Sequence, residues 1–241
     1  MIVFALSIIL FFSFSRRKLL DEKIKNQEQE IKHQNKLLQV TIETQEEERE
    51  RIARDLHDDI SSKLNVVNLN LHILRKKVPE DQHEIIDSLQ SSLAASIDRS
   101  RTMAHELMPP ALVKFGLKVA IDGLLSEVFK ASGLNVKFIG REWADSFKSE
   151  SALHVFRIIQ EWVNNTLKYA EAQSIYLEFN KTADEKLWLS YRDDGIGIKN
   201  IEKSTGMGTL NIISRCQILG AELEMPSTEK GVWYMLTFNN G

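Results

Sequence analysis

Apolar residues recur every three or four positions from Ile52 through Leu56, Ile60, Leu64, Val67, Leu71 and Leu74 to Val78. One such stripe on a proline-free stretch predicts a helix that runs to about Lys77 and is broken by Pro79. A second periodic run, Ile86, Leu89, Leu93, Ile97 and Ala104, ends at Pro109 and Pro110. Two amphipathic helices joined by a short turn leave one apolar seam that they cannot bury alone, so the pattern predicts pairing of two copies into a four-helix bundle. Upstream, residues 20–45 are rich in Glu, Lys and Gln and contain neither Gly nor Pro. Ile24, Ile31 and Leu38 repeat every seven residues, as in one seam of a parallel coiled coil, but Gln27, Gln34 and Thr41 lie between them. Such a coil is weak by itself and serves best as a continuous linking helix.

Residues 1–14, MIVFALSIILFFSF, carry no charge and are followed by Arg16, Arg17 and Lys18. The run is shorter than the ~20 residues of a typical spanning helix. The charges follow it rather than precede it, and no small-residue cleavage site appears, so it reads as an anchor and not as a signal peptide. The basic cluster then keeps everything after residue 15 in the cytoplasm, as a single-pass protein of the inner (cytoplasmic) membrane; the alternative is an amphipathic or truncated anchor lying at the surface.

Past Pro110 short apolar runs alternate with helical ones. The expected elements are a helix near 117–131, a strand near 134–139, a helix near 149–170, strands near 174–180 and 186–193, a helix near 208–219, and strands near 221–225 and 231–238. This is an α+β arrangement with helices over one sheet. The chain thus divides into 1–15, an anchor; 16–44, a coiled-coil helix; 45–108, a helical hairpin; and 109–241, an α/β sandwich.

A hydrophobic content of 43% and a charged content of 27% are ordinary for a globular protein. The net charge of −3 supplies no basic excess to neutralise phosphates, so nucleic acid is not expected as a partner. A lone cysteine, Cys216, excludes an internal disulfide, and the six histidines lack zinc-site spacing.

Four stretches carry candidate chemistry. In RIARDLHDDISSKL, His57 lies one position off the apolar stripe, at its solvent side, with Asp58 able to orient the ring or take its proton. On the helix at 149–170, Phe156, Ile159, Val163 and Leu167 make the core stripe, and Glu161, Asn165 and Lys168 share the other side. Oxygens for a hard cation and an ammonium for phosphate suit a magnesium-bound polyphosphate. In YRDDGIGIK, Asp193 follows a strand and can accept from an exocyclic amine, and Gly195 and Gly197 permit close backbone approach to a base. TGMGT, with Gly206, Gly208 and Thr209, opens a helix whose unpaired N–H groups can meet phosphate. Each stretch alone also fits a solvated helix face or a tight turn.

RIARDLHDDISSKL resembles the phosphoacceptor motif of sensor histidine kinases of the nitrate-sensor-like subgroup. QEWVNNTLKYA, DDGIG and GMG resemble, in the same order, the N, G1 and G2 boxes of the ATP-binding domain shared by histidine kinases, gyrase, Hsp90 and MutL. HELMPPALVKFGLKVAI, at 105–121, resembles the junction in the same subgroup. The resemblance covers about residues 45–240. It implies that His57 is phosphorylated beside Asp58, that Asn165 holds Mg2+, and that Glu161 is the acid of the N box. Lys168 would contact phosphate, Asp193 would read adenine beside Gly195 and Gly197, and Gly206, Gly208 and Thr209 would belong to the lid. It further implies a homodimer that takes phosphate from ATP onto His57 and gives it to an Asp of a separate response regulator in trans. Two departures stand out: Tyr169 replaces the usual His after Lys168, and Ser62, five beyond His57, stands where relatives often carry Gln or His to position water. Rival readings are a non-catalytic dimeric scaffold, and an ATPase or serine kinase of the same ATP-binding superfamily.

Overall fold

The computed structural model of the protein describes residues 2–182, 184–197 and 207–238. They fall into two units, Met1–Glu43 and Thr44–Gly241. The described residues of the first unit all belong to α1, Ile2–Arg54, a helix of 53 residues. Ile24 and Ile31 of the heptad seam are exposed there. Among the described residues no helix is long and apolar enough to cross a membrane, so the single-pass anchor expected over residues 1–15 is not shown. The uncharged run ends at Ser15, and basic residues follow at once.

In the second unit the helix continues through one π-turn, Asp55–Ile60, into α2, Ser61–Arg75. After Pro79 and a turn of 3-10 helix at Glu80–Gln82, α3, His83–Leu107, folds back. Arg75 donates to both carboxylate oxygens of Asp87 across the turn, at 2.6 and 3.1 Å, and fixes the register of the hairpin. Ala53, Ser61, Ile86, Ile97, Ser100 and Ala104 are its buried residues, mostly small, which lets the helices approach closely. Val66, Leu69, Ile73, Leu74, Ile85 and Leu89 are exposed, so much of the apolar surface faces away from the hairpin's own contact.

Pro109 and Pro110 stop α3 and start α4, Pro110–Ser132, which is kinked where Gly116 takes φ 85°. Asp145 Oδ1 accepts from Lys118 N at 3.3 Å beyond the kink and caps the helical stretch that the sequence pattern places near 117–131. The rest is β1 (Asn135–Ile139), a short α5 (Arg141–Ala144), α6 (Ser149–Asn165), β2 (Ser174–Lys181), β3 (Leu187–Asp193), α7 (Met207–Leu219), β4 (Ala221–Glu224) and β5 (Trp233–Phe238). The sheet order is β1-β2-β3-β5-β4, with β1 parallel to β2 and the other pairs antiparallel. Ile175, Leu177 and Phe179 alternate with exposed or half-buried residues along β2, as do Leu187, Leu189, Tyr191 and Asp193 along β3. That period of two turns one sheet face to the core, which α4, α6 and α7 complete with Leu117, Ile121, Phe156, Ile159, Val163 and Ile212. A helical region followed by a mixed α/β sheet domain is therefore the architecture, as the pattern predicts.

Candidate active site

His57 sits in the π-turn with its side chain 66% exposed, beside Asp58 at 74%. Asp58 Oδ1 lies 2.7 Å from His57 Nδ1. An ionised carboxylate can only accept, so this contact places the imidazole proton on Nδ1 and leaves the Nε2 lone pair directed away from the acid. The turn is widened by i→i+5 bonding, and Ser61 and Ser100 both donate to Leu56 O, at 3.0 and 3.4 Å. Ser61 is thereby buried, and Ser62 remains exposed on α2.

The second group is built on α6. Val155, Phe156, Ile158, Ile159, Trp162 and Val163 bury one side of it, and Glu161 and Asn165 are half-buried. After Asn165 the backbone widens into another π-turn, Thr166–Ala170. Each residue then advances less about the axis, so Thr166 and Ala170 turn inward. Leu167, expected to end the core stripe, is 44% exposed instead, and Lys168 and Tyr169 are exposed on the same turn. Strict period-3.6 reasoning misses this shift.

Asp193 ends β3 and is 1% exposed. Its Oδ2 accepts from Thr166 Oγ1 at 2.7 Å, and its Oδ1 accepts from Gly195 N at 3.1 Å and Val232 N at 3.2 Å. Behind Thr166 stands the Tyr191 hydroxyl, 2.6 Å from Thr166 Oγ1 and 3.3 Å from Trp162 O. Burial pushes the Tyr191 phenol far above its ordinary value, so it stays protonated. The neighbouring Asp194 does a different job: its Oδ1 accepts from Gln173 N and Ser174 N at 2.7 and 2.9 Å and ties the loop to the start of β2.

The glycines serve packing. A Cβ on Gly195 would lie 2.2 Å from Ala170 O, and one on Gly197, where φ is 72°, would lie 2.9 Å from Gly231 O. The sequence reading gave these two a close approach to a base; here each abuts backbone of the protein itself. A Cβ on Gly208 would lie 2.1 Å from Glu161 Oε1, so the first turn of α7, which also carries Thr209, is seated on the Glu161 carboxylate. Gly206 lies outside the described residues. The fold thus joins Glu161 with Gly208, and Thr166, the residue after Asn165, with Asp193, and it keeps His57 in the hairpin.

One charged cluster escaped the sequence reading. Glu46 of α1 is 8% exposed; its Oε2 accepts from Arg157 Nε and Nη2 at 3.2 and 3.1 Å, and its Oε1 from Arg215 Nη2 at 2.5 Å. Arg157 also donates to Gln160 Oε1 at 2.9 Å and to the carbonyls of Glu106 and Leu107. Arg215 lies 3.0 Å from His154 Nδ1. Burial pushes the Glu46 carboxyl up, but the Arg157 and Arg215 charges outweigh it and hold the group below its ordinary value. Burial lowers both guanidinium values, against the pull of Glu46. A signal was present: Arg157 in VFRIIQ and Arg215 in IISRCQIL are single charges inside apolar helical runs, and such a charge needs a buried partner.

Among the described residues no group of three or more His, Cys, Asp or Glu side chains could hold a metal ion. Glu161 and Asn165, one turn apart, fit the other way of holding Mg2+, in which one or two protein oxygens act together with substrate phosphates.

Residues 48–112 match a family model described as histidine kinase, HisKA_3. The chain is 31% identical over 206 residues to the oxygen sensor histidine kinase NreB of Staphylococcus carnosus, covering 83% of this chain and 58% of that protein. It is 28% identical over 245 residues to the sensor histidine kinase MctS of Rhizobium johnstonii, covering 96% of this chain and 49% of that one. The chain therefore spans about half the length of these relatives. Among solved structures, the histidine kinase domain of a blue-light activated kinase from Erythrobacter litoralis matches with a TM-score of 0.48 at 17% identity, over 75% of this chain and 94% of that one.

Proposed function

We propose that this chain, which belongs to the sensor histidine kinases of the HisKA_3 type, takes the γ-phosphoryl group of ATP onto His57 and passes it to an aspartate of a separate response regulator. The observation that carries this is the 2.7 Å contact between Asp58 and His57 Nδ1 on an exposed ring. With the proton held on Nδ1, Nε2 is the nucleophile: a P–N bond forms there, the bond from γ-phosphorus to the bridging oxygen breaks, and ADP leaves. Asp58 stabilises the positive imidazolium that develops, at no cost in reorganisation.

Within the α/β domain, Asp193 reads the adenine amine, Asn165 and Glu161 supply oxygens for Mg2+, and Lys168 with the first turn of α7, Gly208 and Thr209, meets phosphate. Mg2+ held by Asn165 and Glu161 would offset charge on the transferring group, and positioning by the protein supplies most of the catalysis. In this reading residues 45–108 dimerise and carry the acceptor, residues 109–241 bind ATP, and residues 16–44 transmit a signal. The uncharged run at 1–15 attaches the chain to the inner membrane.

The test is incubation of the protein with γ-labelled ATP and Mg2+. The label should be acid-labile, and His57→Gln should abolish it while ATP binding persists. Acid-stable label, or normal labelling of His57→Gln, would sink the assignment in favour of a serine kinase or an ATPase.

A further inference from the structure

We infer that Thr166 sets the base selectivity of the nucleotide site by locking Asp193 as an acceptor with one open lone pair; this rests on the nucleotide reading above. Thr166 is 3% exposed and is the first residue of the π-turn that follows Asn165. Its single proton goes to Asp193 Oδ2, 2.7 Å away, because a carboxylate cannot donate. The Thr166 oxygen, left as an acceptor, takes the one Tyr191 hydroxyl proton over 2.6 Å, with Trp162 O the more distant acceptor of that proton at 3.3 Å. Donation therefore runs one way, Tyr191 to Thr166 to Asp193, and each bond polarises the next.

The remaining capacity of Asp193 can be counted. Oδ1 already accepts two backbone N–H groups, from Gly195 and Val232. Oδ2 accepts one bond, from Thr166, and a carboxylate oxygen accommodates about two. One acceptor position is left on a side chain that is 1% exposed, and an unfilled buried acceptor is costly. An exocyclic amine, as on adenine, fills it. A keto oxygen in the same place, as on guanine, meets acceptors only, since the protons of Thr166 and Tyr191 are both committed inward. The carboxylate reads amine against carbonyl because it only accepts; the hydroxyl pair fixes its position and withholds the protons that a carbonyl could use, and the π-turn is what brings Thr166 inward to do so. Thr166 is a positioning residue, acting through Asp193.

The experiment measures binding of ADP, GDP and inorganic tripolyphosphate to the full chain. Thr166→Val keeps the shape and removes the hydroxyl; it should weaken ADP by about 5- to 30-fold, as one buried hydrogen bond lost converts to affinity. GDP and tripolyphosphate should change by less than about 2-fold, so the ADP/GDP ratio narrows. Thr166→Ser should restore the ratio, and Tyr191→Phe should shift it in the same direction by a smaller factor. With ATP, KM should rise more than the rate at saturation falls. If Asp193→Asn weakens ADP and Thr166→Val does not, the inference is overturned; if neither does, it is the nucleotide reading that fails. Should Thr166→Val not fold, Tyr191→Phe carries the test, and an unaltered ADP/GDP ratio there overturns the inference.

Discussion

Asp193 and Asp194 are the same side chain one position apart, and the fold gives them separate work. One faces the core behind Thr166, and the other caps the backbone of Gln173 and Ser174. The neighbouring loop is held as tightly by an absent side chain. Gly195→Ala would press a Cβ to within 2.2 Å of Ala170 O, a backbone atom that can move only with the π-turn carrying Thr166. We expect a loss of ~1–3 kcal/mol in stability from overpacking, together with weaker ADP binding, checked by denaturant midpoints and titration. An unchanged midpoint would mean that the loop can shift freely. On the hairpin, Ser62 is exposed and its hydroxyl is several bonds shorter than a Gln amide. If water attacking a phosphorylated regulator is positioned from that place, as the resemblance implies, Ser62→Gln should raise dephosphorylation and leave labelling of His57 nearly as it was. Rapid clearance by the natural protein, matched by Ser62→Ala, would place that role on another residue.

At the scale of elements, the strands and most helices were legible because burial imposes period two on β2 and β3 and period 3.6 on α3 and α6. His57 and Asn165 stand out as polar residues beside such a period, and Asp193 as an acid on the buried period of β3. The two π-turns were not legible, since their cause lies in contacts between distant residues: Ser100 reaching Leu56 O, and Thr166 reaching Asp193. Glu46 was hidden for the opposite reason, being one acid among many in QEEERER, with partners 111 and 169 residues away. A buried ion pair is weak evidence for stability, but breaking one leaves charge uncompensated, so Glu46→Gln should destabilise the second unit by ~3–5 kcal/mol. Because the folded carboxyl titrates below its ordinary value of 4.5, its contribution is complete above that value and is lost as pH falls through the folded value. Melting followed by Trp fluorescence should therefore show the full gap between the natural protein and Glu46→Gln at neutral pH, and a closing gap in acid. A gap that widens in acid would mean that Glu46 is not held ionised by Arg157 and Arg215.

At the scale of the molecule, the hairpin is unfinished as a single chain. Its internal contact is made mostly of small residues with Ile86 and Ile97, whereas Leu69 is 60% exposed, Val66 59% and Ile73 45%. Full burial of each such side chain contributes roughly 1.5–3 kcal/mol, and two copies meeting through α2 and α3 double the number buried. The heptad positions Ile24 and Ile31, 52% and 58% exposed, offer a second seam, but polar Gln27 and Gln34 interrupt it. The hairpin should therefore carry the association. Leu69→Glu with Ile73→Glu would place four carboxylates in a paired seam, and we expect the chain to become monomeric by light scattering at micromolar concentration. Ile24→Glu with Ile31→Glu should weaken the dimer far less. Mixing a chain that lacks the proposed acceptor, His57→Gln, with one that lacks the proposed nucleotide acid, Asp193→Asn, then uses the same interface as a reporter. Labelled His57 in the mixture requires one protomer to serve its partner, and that label should vanish when both chains also carry the two Glu substitutions in the seam. A dimer that survives those substitutions would move the interface to residues 16–44.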